Sequence, residues 1–265
     1  MKKNLNKNNI LSEFNEATLD FQYYIDTQLD AFDEFEQKAS SETSETKKAS
    51  FVELKDKLLK RLSNIVQWIK QWLEFLKFEK NFNPNNLKRY NFGEIVFVNL
   101  GFNVGQEFGG PHYALVLNKH DIKLKGVITI VPLSSLKDKD KNKLGDRLYL
   151  GDILKKTIQD KFSNNLKKLQ EKIDSTLEEL NNNKITRETF LSKLKYYQKK
   201  LEHNKQLQSL FTKMNNETIA LTNQVTTVSK MRILNPKTPD DSLANIIVPK
   251  STMKMILEKI HKLYG

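Results

Sequence analysis

The residues best suited to chemistry lie in the glycine-rich middle of the chain. His112 follows a Gly-Gly-Pro turn, and Ser134 and Ser135 form a hydroxyl pair at the end of an apolar run. Histidine exchanges protons near neutral pH, because its unperturbed pKa is about 6.5. His112 is therefore a candidate general acid or base, although a histidine after such a turn also serves structural roles. Ser134 is a second candidate, and the alternative is that it caps a turn together with Ser135.

Four further polar residues are candidates for binding rather than catalysis. Glu107 lies in the turn-rich loop before His112, where a solvated acid is also ordinary. Arg147 opens a short strand-like run and is a candidate phosphate contact. Gln224 and Thr227 fall on a later extended run, as site residues or as plain strand residues. The chain has no cysteine, and its four histidines show no ligand spacing, so we expect neither a metal nor a cofactor.

The charge of the chain is large and unevenly distributed. The net charge is +12, but residues 13–45 hold ten acids against Lys38 alone, a net of −9. The rest of the chain therefore carries about +21. A basic excess of this size favours a polyanionic partner, because phosphate contacts release counterions. The alternative is a composition that simply favours lysine.

Glycine and proline divide the chain into helical flanks and a turn-rich middle. Eight of the nine glycines lie between Gly93 and Gly151, and neither residue type occurs in 1–83 or 152–235. These residues punctuate turns, so the middle is expected to be β structure and the flanks helical. Short runs rich in β-branched and aromatic residues predict strands at 94–100, 113–118, 127–132, 147–150, 218–233 and 244–248. A last helix is expected to end near Leu263.

Helical periodicity and composition set the expected domain boundaries. Residues 1–89 are predicted to form a helical extension, with an acidic helix at 10–38 in heptad register, a Ser/Thr/Glu/Lys linker at 40–50 and a helix at 51–80. Residues 90–265 form the core domain. Two apolar stripes separated by an Asn-rich turn predict an antiparallel helical hairpin, inserted into this domain at 152–215. No run is long and apolar enough to cross a membrane, and the amino terminus leads into no apolar segment, so we expect a cytoplasmic protein.

Three segments of the core, in the expected order, resemble the PemK/MazF family of type II toxins. The first, from Gly93 to Leu117, is similar to the family's opening strand, glycine-flanked acidic loop and second strand. The second, 130–135, is similar to a family strand that ends in a hydroxyl pair. The third, 224–233, is similar to the family's Gln-x-Arg-Thr-x-x-Lys-x-Arg run. Together with a terminal strand and helix, they cover somewhat under half of the chain.

The resemblance implies an α+β fold built on an SH3-type β-barrel. It also implies a homodimer, a cognate acidic antitoxin and a metal-independent endoribonuclease activity on single-stranded RNA. In that reaction the ribose 2′-hydroxyl attacks the adjacent phosphate, which leaves a 2′,3′-cyclic phosphate and a 5′-hydroxyl. His112 would act as general acid or base, Ser134 would position the scissile phosphate, and Glu107 would orient His112 or a base. The residues expected to contact RNA are Glu107, Ser135, Arg147, Gln224 and Thr227.

Three positions depart from the family pattern. The catalytic arginine of the family falls on His112, the catalytic threonine on Ser134, and the arginine of the third segment on Thr226. Arginine is a fixed cation, whereas histidine can exchange protons. The site has therefore either changed to acid–base chemistry or lost its phosphate clamp. Two alternatives to a ribonuclease follow: a barrel that binds RNA or a partner without cutting, and an interaction protein that acts through its helices.

Overall fold

A computed structural model of the protein describes residues 6–136, 144–214 and 217–265. The chain divides into two compact units, of which the first ends at Lys77 and the second runs from Phe78 to Gly265. The first unit is helical. Its helix α1 (Lys7–Ser41) begins after Asn6, whose side chain accepts a hydrogen bond from the Asn9 backbone N–H at 2.9 Å. This contact satisfies one of the unpaired donors at the start of the helix.

Helix α2 (Glu45–Glu79) begins earlier than the sequence predicts. The linker expected at 40–50 is reduced to residues 42–44, because 45–50 are helical. The segment reads as low-complexity, but lysine, glutamate and alanine in it are strong helix formers. Glu45 also lies in the first turn, where a carboxylate interacts favourably with the helix dipole.

The heptad face of α1 is covered only in part. Leu11 and Phe14 are exposed, whereas Phe32 is half-buried and lies under the Lys55 ammonium group of α2, with 5.5 Å between nitrogen and ring centre. Lys55 also pairs with Glu36 at 3.1 Å. The described residues of this unit therefore do not bury the whole apolar face, and a coiled coil over its full length stays a prediction.

The second unit contains a seven-stranded antiparallel sheet. Its strands are β1 (Ile95–Asn99), β2 (Pro111–Val116), β3 (Val127–Ser135), β4 (Leu148–Gly151), β5 (Thr218–Ala220), β6 (Thr226–Ser229) and β7 (Ile233–Asn235). Two of these differ from the prediction in a way that matters for the site. Strand β2 begins before His112 rather than after it, and β3 extends through Ser135.

The sheet branches at β3, its longest strand. The strand order is β4-β5-β3-β2-β1-β7, and β6 also pairs with β3. Residues 127–130 of β3 pair with β6, and 133–135 pair with β5. Strands β4 and β7 remain as edges, and no pairing between them closes the sheet within the described residues. The prediction of helices combined with an antiparallel sheet is confirmed, whereas a closed SH3-type barrel is not seen.

Each face of the sheet carries an apolar cluster, because strand side chains alternate between faces. One cluster contains Leu115, Val131 and Leu133 of the sheet, together with side chains from three helices. The helices are α3 (Ile153–Asn181), α4 (Arg187–Lys213) and α5 (Lys250–Tyr264). The other cluster is formed mainly by small and β-branched residues, with Ala114 and Ile130 fully buried. His112 and Ser134 belong to the face of this second cluster by alternation.

Helices α3 and α4 form an antiparallel hairpin between β4 and β5. Phe162 packs on Phe211 with ring centres 5.3 Å apart, and the hydroxyls of Thr176 and Tyr197 lie 2.9 Å apart. Residues that come later in α3 thus contact residues that come earlier in α4. The predicted end of this insertion, residue 215, lies outside the described residues. No helix in the described part of the chain is long and apolar enough to cross a membrane.

Candidate functional site

The environment of His112 favours its neutral form. It lies in β2 opposite Val98 of β1, and its ring stacks on Phe108 with centres 4.0 Å apart. Burial lowers the pKa of His112 below its usual value, and a hydrogen bond with the Gly109 backbone opposes the shift only in part. Desolvation penalises the charged imidazolium. His112 is therefore neutral at pH 7 and has a lone pair available to accept a proton.

Ser134 lies near the end of β3, and His112 lies near the start of β2. The pairing of β2 with β3 runs from Val116–Ile130 to Ala114–Pro132, and each of the two candidates lies two positions beyond its last pair. On its other side, Ser134 pairs with Ile219 of β5. Both candidate residues are half-buried. Strands β2 and β3, which are consecutive in the chain, therefore bring a proton acceptor and a hydroxyl to one end of the sheet.

A cavity of about 240 Å³ opens where these strands end. Three of the predicted site residues line it: His112, Ser134 and Ser135. Tyr113 and Thr218 add two further hydroxyls, and burial raises the pKa of the Tyr113 phenol, which stays protonated at neutral pH. The arrangement offers one proton acceptor surrounded by hydroxyl donors. Such a site can move a proton and can donate hydrogen bonds to a charged oxygen.

The glycine-rich loop between β1 and β2 positions the ring of Phe108 against His112. Two backbone hydrogen bonds close the base of the loop, from Leu100 N–H to the Gly110 carbonyl at 2.9 Å and from Gly110 N–H to the Gly101 carbonyl at 2.6 Å. Gln224 fastens the loop on its other side. Its side-chain oxygen accepts from Phe108 N–H, and its amide nitrogen donates to the Gln106 carbonyl, both at 3.3 Å.

Gln224 is thus connected to the site through the loop rather than by lining the cavity. Glu107 belongs to the same loop but is exposed, and its carboxylate accepts a hydrogen bond from Val104 N–H at 3.4 Å. It does not line the cavity either. An interaction of Glu107 or Gln224 with RNA stays a prediction.

Arg147 and Thr227 lie apart from the His112 cavity. Arg147 precedes β4, and its Nε donates to the Leu144 carbonyl at 3.0 Å. Thr227 pairs with Thr129 across β6 and β3, and their hydroxyl oxygens are 3.0 Å apart. Neither residue lines the cavity. The structure therefore brings together the first two sequence segments at this cavity, and not the whole predicted set.

The basic residues of the third segment point into the protein. Lys230 is 1% exposed and pairs with Asp121 at 2.6 Å. Arg232 donates to the Asn99 carbonyl at 2.9 Å and to the Leu100 carbonyl, and burial lowers the pKa of its guanidinium. Both cations therefore hold the sheet and the start of the glycine-rich loop. This inward orientation could not be read from the segment, because its alternating pattern predicts only that some residues are buried.

Phe108, Tyr113 and Thr218 are site residues that sequence reasoning missed. Tyr113 follows His112 directly, so alternation along a strand would assign it to the opposite face. It lines the cavity because the cavity lies at the strand ends. Phe108 had one signal, its place four residues before His112 in a loop with several glycines. No local pattern in the sequence marked Thr218 as a site residue, because it reaches the cavity by pairing with Ser135, which is 83 positions earlier in the chain.

Replacing Gly109 with alanine should disrupt the loop. A Cβ on Gly109 would lie 2.6 Å from the Gly101 carbonyl oxygen, a backbone atom that cannot move without breaking the loop closure. We expect the free energy of unfolding to fall by about 1–3 kcal/mol, as for other overpacked positions. Gly126→Ala is the control, since its Cβ would meet nothing closer than 3.8 Å. Chemical denaturation of both variants measures the difference, and equal stability would contradict this account of the loop.

The described residues contain no group of three or more His, Asp or Glu side chains arranged to hold a metal ion. The histidine beside hydroxyl groups is a candidate acid–base site at the ends of antiparallel strands.

Comparison with known families agrees with the resemblance found in the sequence. Residues 91–177 match the model of a family described as PemK-like, MazF-like toxin of type II toxin-antitoxin system. The match confirms the predicted resemblance over the first two segments and ends before the third. Among solved structures, the chain is similar to the crystal structure of MazF (Form-I) from Deinococcus radiodurans. The two share 11% identity with a TM-score of 0.34, over 67% of this chain and 98% of that chain. A search of curated proteins gives no match.

Proposed function

We propose that this protein is the toxin of a type II toxin–antitoxin system and cleaves single-stranded RNA without a metal. The observation that carries the proposal is the neutral His112 beside Ser134 in one cavity. The family match over residues 91–177 supports the same class. On this proposal the sheet is an opened form of the small barrel expected for the family. The protein forms a homodimer, acts in the cytoplasm and is restrained by an acidic antitoxin.

The proposed reaction is an internal transesterification. The neutral imidazole of His112 takes the proton of the ribose 2′-hydroxyl while the 2′-oxygen forms a bond to phosphorus. The bond between phosphorus and the 5′-oxygen breaks, and the same proton passes to that leaving oxygen. The hydroxyls of Ser134 and Ser135 donate hydrogen bonds to the non-bridging oxygens, where negative charge builds up. The products are a 2′,3′-cyclic phosphate and a 5′-hydroxyl.

Cleavage should persist when divalent cations are removed. Every group in the proposed reaction is a side chain, so EDTA should leave the rate of RNA cleavage unchanged. The test incubates the full-length protein with a long RNA in EDTA and analyses the product ends. We expect ends that resist ligation until the cyclic phosphate is opened. A reaction that requires added Mg²⁺, or that leaves 5′-phosphate ends, would refute the mechanism.

A second candidate function is binding of RNA or a partner without cleavage. It is favoured by one observation: among the part of the chain that the structure describes, none of the ten residues that line the His112 cavity is a lysine or arginine. A phosphorane carries extra negative charge, and a fixed cation is the usual means of stabilising it. Binding of a long RNA with no cleavage under any ionic condition would support this alternative over the ribonuclease.

A further inference from the structure

A second cleft, of about 280 Å³, lies between the α3–α4 hairpin and the loop at 237–245. Among the described residues, it shares no lining residue with the His112 cavity. Its volume is close to the lower end of the range for small-ligand sites, about 300–1,000 Å³. The described residues that line it all belong to the second unit. Its chemistry is therefore separate from that of the cavity described above.

The wall formed by α3 is basic. Lys161, Lys168 and Lys172 line it, and none of the three takes part in an ion pair within the described residues. From the opposite helix, Lys200 pairs with Asp240 at 2.8 Å, which raises the pKa of the lysine. Four lysines thus face a cleft that contains two carboxylates, and one of these is already paired.

The second carboxylate, Asp241, is turned toward its own loop. It accepts hydrogen bonds from the backbone N–H groups of Lys237 at 2.6 Å and Thr238 at 3.0 Å, and from the Thr238 hydroxyl at 2.9 Å. These contacts lower the pKa of Asp241 despite its partial burial. Asp241 is charged but directs its hydrogen bonds to its own loop, and the four lysines of the lining outnumber the two carboxylates. The cleft keeps a net positive charge that an anion would compensate.

An aromatic ring stands beside these cations. Tyr196 is 53% exposed in the cleft, and the Lys200 ammonium lies 5.5 Å from its ring centre. The neighbouring Tyr197 is held by its hydroxyl contact with Thr176, so the two rings differ in freedom to bind a ligand. At the base of the cleft, Asn204 is buried and donates to the Phe162 carbonyl at 3.1 Å. The cleft therefore combines a buried, hydrogen-bonded floor, an accessible aromatic ring and lysines that form no ion pair within the described residues.

We propose that this cleft binds a nucleotide of a single-stranded RNA. Phosphates would contact Lys168 and Lys172, and a base would stack on Tyr196. Lysine grooves with aromatic platforms bind single strands in this way, because every base offers a stacking face. The proposal does not rest on the cleavage reaction, since binding here needs neither His112 nor Ser134.

The test uses a fluorescent 2′-O-methyl oligouridylate, which lacks the attacking hydroxyl and so cannot be consumed. Its affinity for the full-length protein is measured by anisotropy over a range of salt concentrations. Lys168→Ala with Lys172→Ala should lower the affinity about tenfold or more. It should also flatten the slope of log K against log salt by about 0.7 per lysine removed. The matched control, Lys167→Ala with Lys195→Ala, removes the same charge from exposed positions of the same hairpin that do not line the cleft.

Three outcomes separate the proposal from a diffuse effect of charge. The control pair should leave the affinity nearly unchanged, and an equal loss in both pairs would overturn the proposal. Tyr196→Ala should weaken binding at least fivefold while Tyr196→Phe preserves it. Loss in both tyrosine variants, or in neither, would also overturn it. Circular dichroism and thermal unfolding confirm that the hairpin stays folded in each variant.

Competition with uridine monophosphate identifies the source of the nucleotide. We expect weak competition from the mononucleotide, because a strand supplies several phosphates. Displacement by the mononucleotide at a concentration close to that of the oligonucleotide would overturn the assignment to RNA in favour of a free nucleotide. An oligonucleotide that carries 5-iodouridine should crosslink to Tyr196 under ultraviolet light. Crosslinks that map only to other parts of the chain would rule out stacking in this cleft.

Discussion

Replacement of His112 by alanine is expected to lower the rate of RNA cleavage by about 10²–10⁴-fold, the usual contribution of a general acid or base. The physical reason is that His112 is the one histidine among the described residues that line the cavity, and none of these residues is a carboxylate that could take the proton of the 2′-hydroxyl. RNA affinity should change far less, because the imidazole is neutral and contributes little to phosphate binding. The measurement is a single-turnover assay with protein in excess. His120→Ala is the control, since His120 is exposed and outside the cavity.

The pH dependence provides an independent check on the same residue. Burial lowers the pKa of His112, so the neutral, proton-accepting form persists below pH 6.5. The rate should therefore be constant at neutral pH and should fall as the pH drops through the lowered pKa. In His112→Ala this acid limb should disappear. A limb that survives the substitution would belong to another group and would remove His112 from the reaction.

Restoring the arginine of the family distinguishes the two explanations of the His112 departure. If histidine has taken over proton transfer, His112→Arg should lower the rate, because arginine stays protonated at working pH. If the chain has instead lost a phosphate clamp, the same variant should raise the rate. The described residues that line the cavity supply hydroxyls but no lysine or arginine, so the two explanations predict opposite changes in rate for this one substitution.

Much of the fold follows from local patterns in the sequence. Periodicity of three and four predicted helices at both flanks, and clustered glycines predicted the strands between them. The bounds of β2 were missed because proline and glycine before His112 indicated a turn, whereas Pro111 begins the strand. Pairing with β1 decided this position, since Asn99 lies opposite Pro111. Contacts with a partner strand are long-range and do not appear in any local pattern.

Sequence reasoning predicted the part of the candidate site that two neighbouring strands contribute, and not the part that depends on distant segments. His112 and Ser134 come from β2 and β3, which are consecutive strands and pair directly. Gln224 instead acts through a loop more than a hundred residues earlier, and its side-chain contacts depend on tertiary packing. The second cleft could not be predicted for the same reason, because it forms only where the α3–α4 hairpin meets the loop at 237–245. The sequence alone shows that α3 is rich in lysine, but it does not show that α4 and the loop at 237–245 face these lysines across a cleft.

A buried ionic cluster near the start of the sheet gives the second large expected effect. Lys88 pairs with Glu94 at 2.5 Å, and the two side chains are 4% and 0% exposed. Lys230 pairs with Asp121 at 2.6 Å. The centre of the Tyr90 ring lies 4.9 Å from the Lys88 ammonium and 5.9 Å from the Lys230 ammonium, so the ring contacts both cations. Burial, followed by the nearby carboxylates, raises the pKa of Tyr90, so its hydroxyl remains a donor to the Pro236 carbonyl.

Replacing Glu94 with glutamine should cost about 3–5 kcal/mol of folding free energy, because it leaves the Lys88 ammonium buried without a counter-charge. Glutamine keeps the size of the side chain but not its charge, so the loss reports electrostatics rather than a cavity. Chemical denaturation measures it as a lower midpoint at an unchanged slope.

Glu258→Gln, in an exposed pair with Lys254, should change stability little. The double change Lys88→Met with Glu94→Leu should not recover the loss, because the Glu94 carboxylate also accepts hydrogen bonds from the backbone N–H groups of Asn91 and Asn245, which leucine would leave without an acceptor. A loss below about 1 kcal/mol in Glu94→Gln would mean that water or a neighbouring group compensates Lys88.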